Sequence, residues 1–267
     1  MSRRLALAAL AAYALCAVVA AAGAFVSAPD LAAAWAPPSA GNWLGTDQLG
    51  RDVLAQALAG ARVALLVGLL AGGIATVLGA ALGICAGWNG GLADRAIFAA
   101  SALVSAVPGV LLVLVLGFLF GGGTLGVFLA VGLCSWVGTS RLVRAETLRL
   151  RGADFVVAAR AGGAGGGRIA LRHLLPNLAP LLGVQFALAF VFAVKAEIVL
   201  TFLGVGVVEG PSWGRMLADA WGFGDLDHGR WTRLAGVSAA AAGLVLAVQS
   251  LADRLRDRAA PGSAPLA

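Results

Sequence analysis

Six apolar stretches govern what this 267-residue chain can become, near residues 5–27, 62–87, 96–120, 124–140, 178–206 and 233–252. A helix needs roughly 20 residues to cross a hydrocarbon core of about 30 Å, and these runs are of that order. The chain is 60% hydrophobic and only 12% charged, about half the charged fraction of an ordinary soluble domain. It cannot cover its own surface with polar groups, so lipid must cover part of it. The expected fold is an all-α polytopic membrane protein of about six transmembrane helices. The third and fourth runs are divided only by Gly121, Gly122 and Gly123.

The first run has a rival reading as a cleaved signal peptide, since Arg3 and Arg4 precede it and small residues follow around Ala22 to Ala28. It is longer than the usual 7–15 apolar residues of such a segment, which favours a retained anchor. Arginine placement sets the orientation. Segment 141–177 holds Arg141, Arg144, Arg149, Arg151, Arg160, Arg168 and Arg172 against Glu146 and Asp154, and the tail holds Arg254, Arg256 and Arg258. Segments 28–61 and 207–232 lean acidic through Asp30, Asp47, Asp52, Glu209, Asp219, Asp225 and Asp227. The expected topology puts both termini in the cytoplasm of a multi-pass cell (inner or plasma) membrane protein. The net charge of +6 is then the charge of cytoplasmic loops, and no nucleic-acid partner is called for.

Trp35, Trp43, Trp88, Trp213, Trp221 and Trp231 fall near predicted membrane ends, where indoles commonly anchor. Ala75, Gly79, Gly83 and Gly87 recur every four residues and form a small-residue stripe on one helix face. Such a stripe admits another helix backbone, either within the chain or from a second subunit. Cys16, Cys85 and Cys134 all lie in apolar runs, match no metal-binding spacing and read as small core residues. No internal repeat is visible.

Several chemistries lack their residues. The single lysine, Lys195, lies in an apolar run, so there is no GxxxxGK[ST] phosphate loop and no ATPase site in this chain. His173 and His228 are too far apart for HExxH. Residues 222–225 read GFGD, the short pattern of intramembrane aspartyl proteases, but Asp225 falls in a loop and no span supplies a second aspartate. No catalytic or metal site is expected. Lys195 and Glu197 are charges within a span, a costly place unless they face protein or water. Spaced i, i+2, they point roughly 200° apart on a helix. Glu197 is a candidate either for the translocation path or for a polar contact between helices.

Between the fourth and fifth runs lies ADFVVAARAGGAGGGRIALRHLLPN, residues 153–177. Ala153–Ala161 reads as a short amphipathic helix with Phe155, Val156 and Ala159 on its apolar side. Gly162 and Gly163 end it, because glycine suits helix C-termini. Gly165–Gly167 give a turn, Arg168–Leu175 a second basic segment, and Pro176 with Asn177 marks re-entry into the fifth run. A short helix lying across the ends of membrane helices can serve as a docking knob. A solvated basic loop is the alternative.

This segment resembles the cytoplasmic EAA loop of ABC importer permeases, which reads E-A-A, three residues, G, and a later I/L-L-P. Ala158, Ala159, Gly163, Leu174, Leu175 and Pro176 match, whereas Val157 stands where the glutamate is expected and Asp154 lies one turn upstream. WLGTDQLGRDV at 43–53 and TFLGVGVVEGPSWGRMLAD at 201–219 resemble segments of the dipeptide/oligopeptide branch, and Glu197 falls where such permeases carry an acid. With the arginines at 141–144, the likeness runs over about residues 42–220 in one order.

The resemblance implies an alternating-access membrane subunit for di- or oligopeptides, not itself an enzyme. Residues 1–61 would form an anchor helix and extracytoplasmic segment, and 62–267 the permease domain. Asp154, Val157, Ala158, Ala159, Arg160, Gly163 and Arg168 would form the coupling site. Implied partners are a second permease, identical or different, two ATP-binding subunits that carry ATP and Mg, and an extracytoplasmic solute-binding protein, with lipid around the spans. No cofactor is expected in this chain. Nickel or another small solute is an alternative cargo, and a self-contained ion-coupled carrier is the rival mechanism.

Overall fold

A computed structural model describes residues 3–23, 25, 28–206 and 210–259. Glu209 and the end of the first predicted run, residues 26–27, lie outside them. The described residues form helices α1 (Arg3–Ala21), α2 (Val53–Asn89), α3 (Gly91–Ala106), α4 (Gly109–Leu119), α5 (Gly123–Cys134) and α6 (Trp136–Arg151). There follow α7 (Asp154–Ala161), the short α8 (Gly166–Ile169), α9 (Leu175–Phe202), α10 (Trp213–Gly222) and α11 (Thr232–Ala259). Five helices or helix pairs are long and apolar enough to cross a membrane, and the bent pair α3–α4 makes a sixth. An all-helical answer follows from the solvent: in lipid, a helix satisfies its backbone groups within its own segment.

The largest departure from the sequence expectation lies in the third run. It is not one continuous helix but a pair bent by 95° at Val107, which is extended, and Pro108. Pro108 has no N–H and biases the residue before it away from helix. Asp94 of α3 makes a paired hydrogen bond to Arg144 of α6, and Arg141 donates to Ser105 at 3.2 Å. These two anchors are eleven residues apart on α3 but three on α6, so α3 lies across α6. The divide between α4 and α5 sits where predicted: Gly121, Gly122 and Gly123 all have positive φ, at 86°, 69° and 67°, a conformation costly for residues bearing a Cβ. The fourth run extends through a kink at Ser135 as far as Arg151.

The small-residue stripe of α2 finds its partner inside the chain. A Cβ on Gly79 would stand 2.5 Å from Thr139, one on Gly83 2.7 Å from the Ser140 carbonyl oxygen, and one on Gly87 2.8 Å from Thr147. The faces of α2 and α6 therefore meet almost backbone to backbone. On another face of α2, Gly68 receives the ring of Phe190 from α9. Two apolar clusters follow, one around Val67, Val113, Val131 and Leu200 and the other around Ala57, Phe190, Trp213 and Leu244.

At the end of the bundle that carries α10, the two acidic segments knit together. Both Asp47 carboxylate oxygens are occupied: they accept from the Leu49 and Arg51 amides at 2.8 and 2.9 Å, Arg51 Nε at 2.8 Å and Gln56 Nε2 at 2.9 Å. Burial pushes the Asp47 carboxyl up, but the donors from Arg51, Leu49 and Gln56 outweigh it and hold the group below the usual carboxylate range. Asp52 caps α2 by accepting from the Ala55 amide at 2.8 Å. Trp213 is a correction to the anchoring expectation. It is 1% exposed, donates from Nε1 to the Ala57 carbonyl at 2.8 Å and lies edge-on to Tyr13. Trp43, Trp221 and Trp231 remain exposed.

Candidate functional site

The segment between α6 and α9 forms a short helix and turn seated on the opposite end of the bundle. Gly152 and Ala153 end α6, and α7 then runs for eight residues. Its register places one side chain, Val156, fully inside. Val156 packs in a cluster with Val143 and Leu150 of α6, Ile169 of α8, Leu174 and Leu178, with Ile84 and Trp88 of α2 at its edge. This cluster joins α7 to the ends of α2, α6 and α9. Ala159 is half-buried on the same side, but Phe155, predicted to share that side, points outward and lies 6.4 Å from the His173 ring.

The end of α7 explains Gly163. The Ala164 amide donates to the Ala159 carbonyl and the Gly163 amide to the Arg160 carbonyl, each at 3.0 Å, with Gly163 at φ 79°. This pair of bonds is a Schellman cap, and the left-handed residue within it is most often glycine. Nothing crowds a Cβ at Gly163, so the requirement comes from the backbone conformation alone. Gly166 is required for a different reason: a Cβ there would stand 2.8 Å from Nε1 of Trp88. The Arg160 guanidinium lies 4.8 Å from the centre of the same indole. Trp88 is thus held between the helix and the turn, a role its place at a membrane end did not reveal. Its one sequence signal was its position directly after the Ala75–Gly87 stripe.

Of the predicted coupling residues, Asp154, Val157, Ala158, Arg160, Gly163 and Arg168 are exposed and Ala159 is half-buried. Val157 turns outward beside Phe155 and Ala158, so the position where a glutamate was expected faces away from the bundle. Arg168 stands apart on α8. Beyond it, residues 170–174 form a π-helical turn in which the Leu175 amide reaches back to the Ala170 carbonyl. This wider turn leads into Pro176, which has no N–H to offer.

Glu197 is not part of this site. It is 1% exposed, accepts from Thr201 Oγ1 at 2.9 Å and contacts the Ser212 hydroxyl at the start of α10. Ser212 in turn accepts from the Arg215 amide at 3.2 Å. The carboxylate ties α9 to the Pro211–Trp213 turn. Asp225, of the GFGD pattern, is bound by Arg230 and Arg233, each at 3.2 Å, and serves as the core of an ion-pair cluster.

The fold is that of a polytopic helical membrane protein with a short apolar-seated helix at one end. Comparison with known proteins gives it a family: residues 79–263 match the binding-protein-dependent transport system inner membrane component, and the chain belongs to that family. The resemblance to ABC importer permeases is thereby borne out. The chain is 36% identical to the dipeptide transport system permease protein DppC of Alkalihalophilus pseudofirmus, over 84% of this chain and 73% of that one. It is 34% identical to DppC of Bacillus subtilis, over 74% and 62%. It is 35% identical to the glutathione transport system permease protein GsiD of Pectobacterium atrosepticum, over 68% and 61%. Among solved structures, a chain of the inward-facing MetNI methionine ABC transporter shares the fold, with a TM-score of 0.61 and 17% identity, over 77% of this chain and 96% of that one.

Proposed function

We propose that this permease carries di- or oligopeptides inward by alternating access, driven by separate ATPase subunits that grip α7. The observation that carries the reading is the division of α7 into two sides. Val156 is locked into the ends of three spans, while Phe155, Val157 and Ala158 offer an apolar outer face. A partner that pulls or pushes on the outer face moves α2, α6 and α9 together. On this reading α7 and both termini are cytoplasmic, and the Asp47 and Asp225 knots form the outer platform that receives a solute-binding protein. A second permease would complete the path, and the ATP and Mg would sit on the ATPases.

Peptide as cargo rests on the dipeptide and glutathione systems among the relatives. Nickel or another small solute is the alternative cargo.

The test is co-purification with an ATPase and dipeptide uptake in membranes, comparing wild type with Ala158→Arg. The variant is expected to reach the membrane in normal amount while uptake falls at least about tenfold, the loss of one well-packed contact. Normal uptake by Ala158→Arg would refute the coupling role of this face.

A further inference from the structure

One charge remains outside every role above. Lys195 is the only lysine in the chain and lies within α9, seven residues before its end at Phe202, or about 10 Å along the axis. Its neighbours Val191, Ala193, Val194 and Glu197 are buried, but Lys195 is exposed. No carboxylate among the described residues pairs with it, and Glu197, two residues on, is turned inward to Thr201. Leu188, Phe192, Lys195 and Val199, spaced four, three and four residues apart, form one uncovered stripe of α9.

That stripe borders a cavity. Leu188 and Phe192 line a groove of about 300 Å³ together with Gly109 and Val113 beyond the α3–α4 bend and Ser135 at the α5–α6 kink. Thr139 and Gln185 add further polar groups to its lining. The groove therefore opens where two spans are broken, and Lys195 stands one turn above it on the same helix face. An ammonium on a lipid-facing surface at this depth is costly, so intramembrane lysines face water or protein. The Cα–Cβ bond of a helical residue tilts toward the helix N-terminus, so the Lys195 stem leaves α9 toward Phe192 and Leu188 at the groove and away from the Phe202 end.

Building on the importer reading, we propose that Lys195 faces the water-filled solute path and contacts the carboxylate of a passing peptide. The cation raises the local concentration of anionic groups and repels divalent cations. It thus selects a peptide-like cargo over a bare metal ion.

The test is made in native membranes, in a background carrying C16A, C85A and C134A, with a reporter cysteine at Val199 (V199C). Anionic sulfonatoethyl and cationic trimethylammonioethyl methanethiosulfonates are compared. Both are expected to label V199C, the anionic reagent about fivefold faster than the cationic one, and K195M should abolish that preference, as expected for one nearby charge. No labelling, or a preference indifferent to K195M, overturns the placement of Lys195. K195M makes the span more apolar, so insertion is preserved. Dipeptide uptake should fall about tenfold in K195M and survive in K195R, the loss expected for a charge-assisted hydrogen bond. Unchanged uptake in K195M overturns the carboxylate contact. If wild-type membranes import no dipeptide yet show charge-dependent labelling, the peptide reading fails and the water-filled path stands.

Discussion

The two ends of the bundle are held by different physics. At the α10 end, Asp47, Arg51, Gln56, Asp225, Arg230 and Arg233 are tied by hydrogen bonds and ion pairs, and Trp213 is wedged between α1, α2 and the start of α10. At the α7 end, the lever is held by one apolar plug, one stacked cation and one glycine cap. Polar networks fix geometry because each member has a directional partner, and losing one strands the others. An apolar seat has no such directionality and tolerates sliding. A hydrogen-bonded end and an apolar-seated end fit the proposed division, in which one side receives a solute carrier and the other receives mechanical work.

The contrast can be broken most severely at Trp213. Trp213→Ala removes the largest fully buried side chain in the described residues and the bond that Nε1 gives the Ala57 carbonyl, at a cost of about 3–5 kcal/mol. Thermal unfolding of the purified protein should register it as a large drop. At the lever, Val156→Ala should cost only about 2 kcal/mol from lost burial, yet abolish a greater share of transport than of stability. If Trp213→Ala proved milder than Val156→Ala in unfolding, the assignment of rigid and compliant ends would be reversed. Gly163→Ala comes next, at about 1–2 kcal/mol for a Cβ in the left-handed region. Its effect should appear as faster hydrogen exchange of the Ala164 and Gly163 amides, with the exchange of Trp213 Nε1–H unaltered.

Much of this was legible in the sequence because hydrophobicity is one-dimensional. The runs, the glycine divide at 121–123 and the loop at 153–177 all follow from local composition. What failed concerned the partner of a residue. An indole at a membrane edge reads the same whether it meets headgroups, as exposed Trp43 and Trp221 can, or closes a helix junction, as Trp88 and Trp213 do. The small-residue stripe announced a close helix without saying that it was α6. The α3–α4 bend did have a local signal, Pro108 inside an apolar run, but apolar length alone concealed it. For the proposed coupling segment, the sequence pattern marked out the loop, whereas the burial of Val156 came only from the fold.

The smallest predicted effect separates the two ends by pH. Asp47 has a carboxyl pKa held below its unfolded value of about 3.9. Its contribution to stability is therefore complete above that value and is lost as pH falls through the lower folded one. The seat around Val156 is formed by aliphatic side chains with the Trp88 indole at its edge; the carboxylates held low at that end, Asp94 and Glu146, belong to more exposed ion pairs with Arg144 and Arg149, which contribute little to stability. Acidification below pH about 4 should thus loosen the Leu49 and Arg51 amides, read by hydrogen exchange, before it loosens Ala164. Asp47→Asn should remove most of that pH dependence, because the amide does not titrate, while its oxygen accepts from Arg51 more weakly than a carboxylate does. Simultaneous loosening of both ends in the wild type would show that they are one cooperative unit, and the lever would then have no compliance of its own.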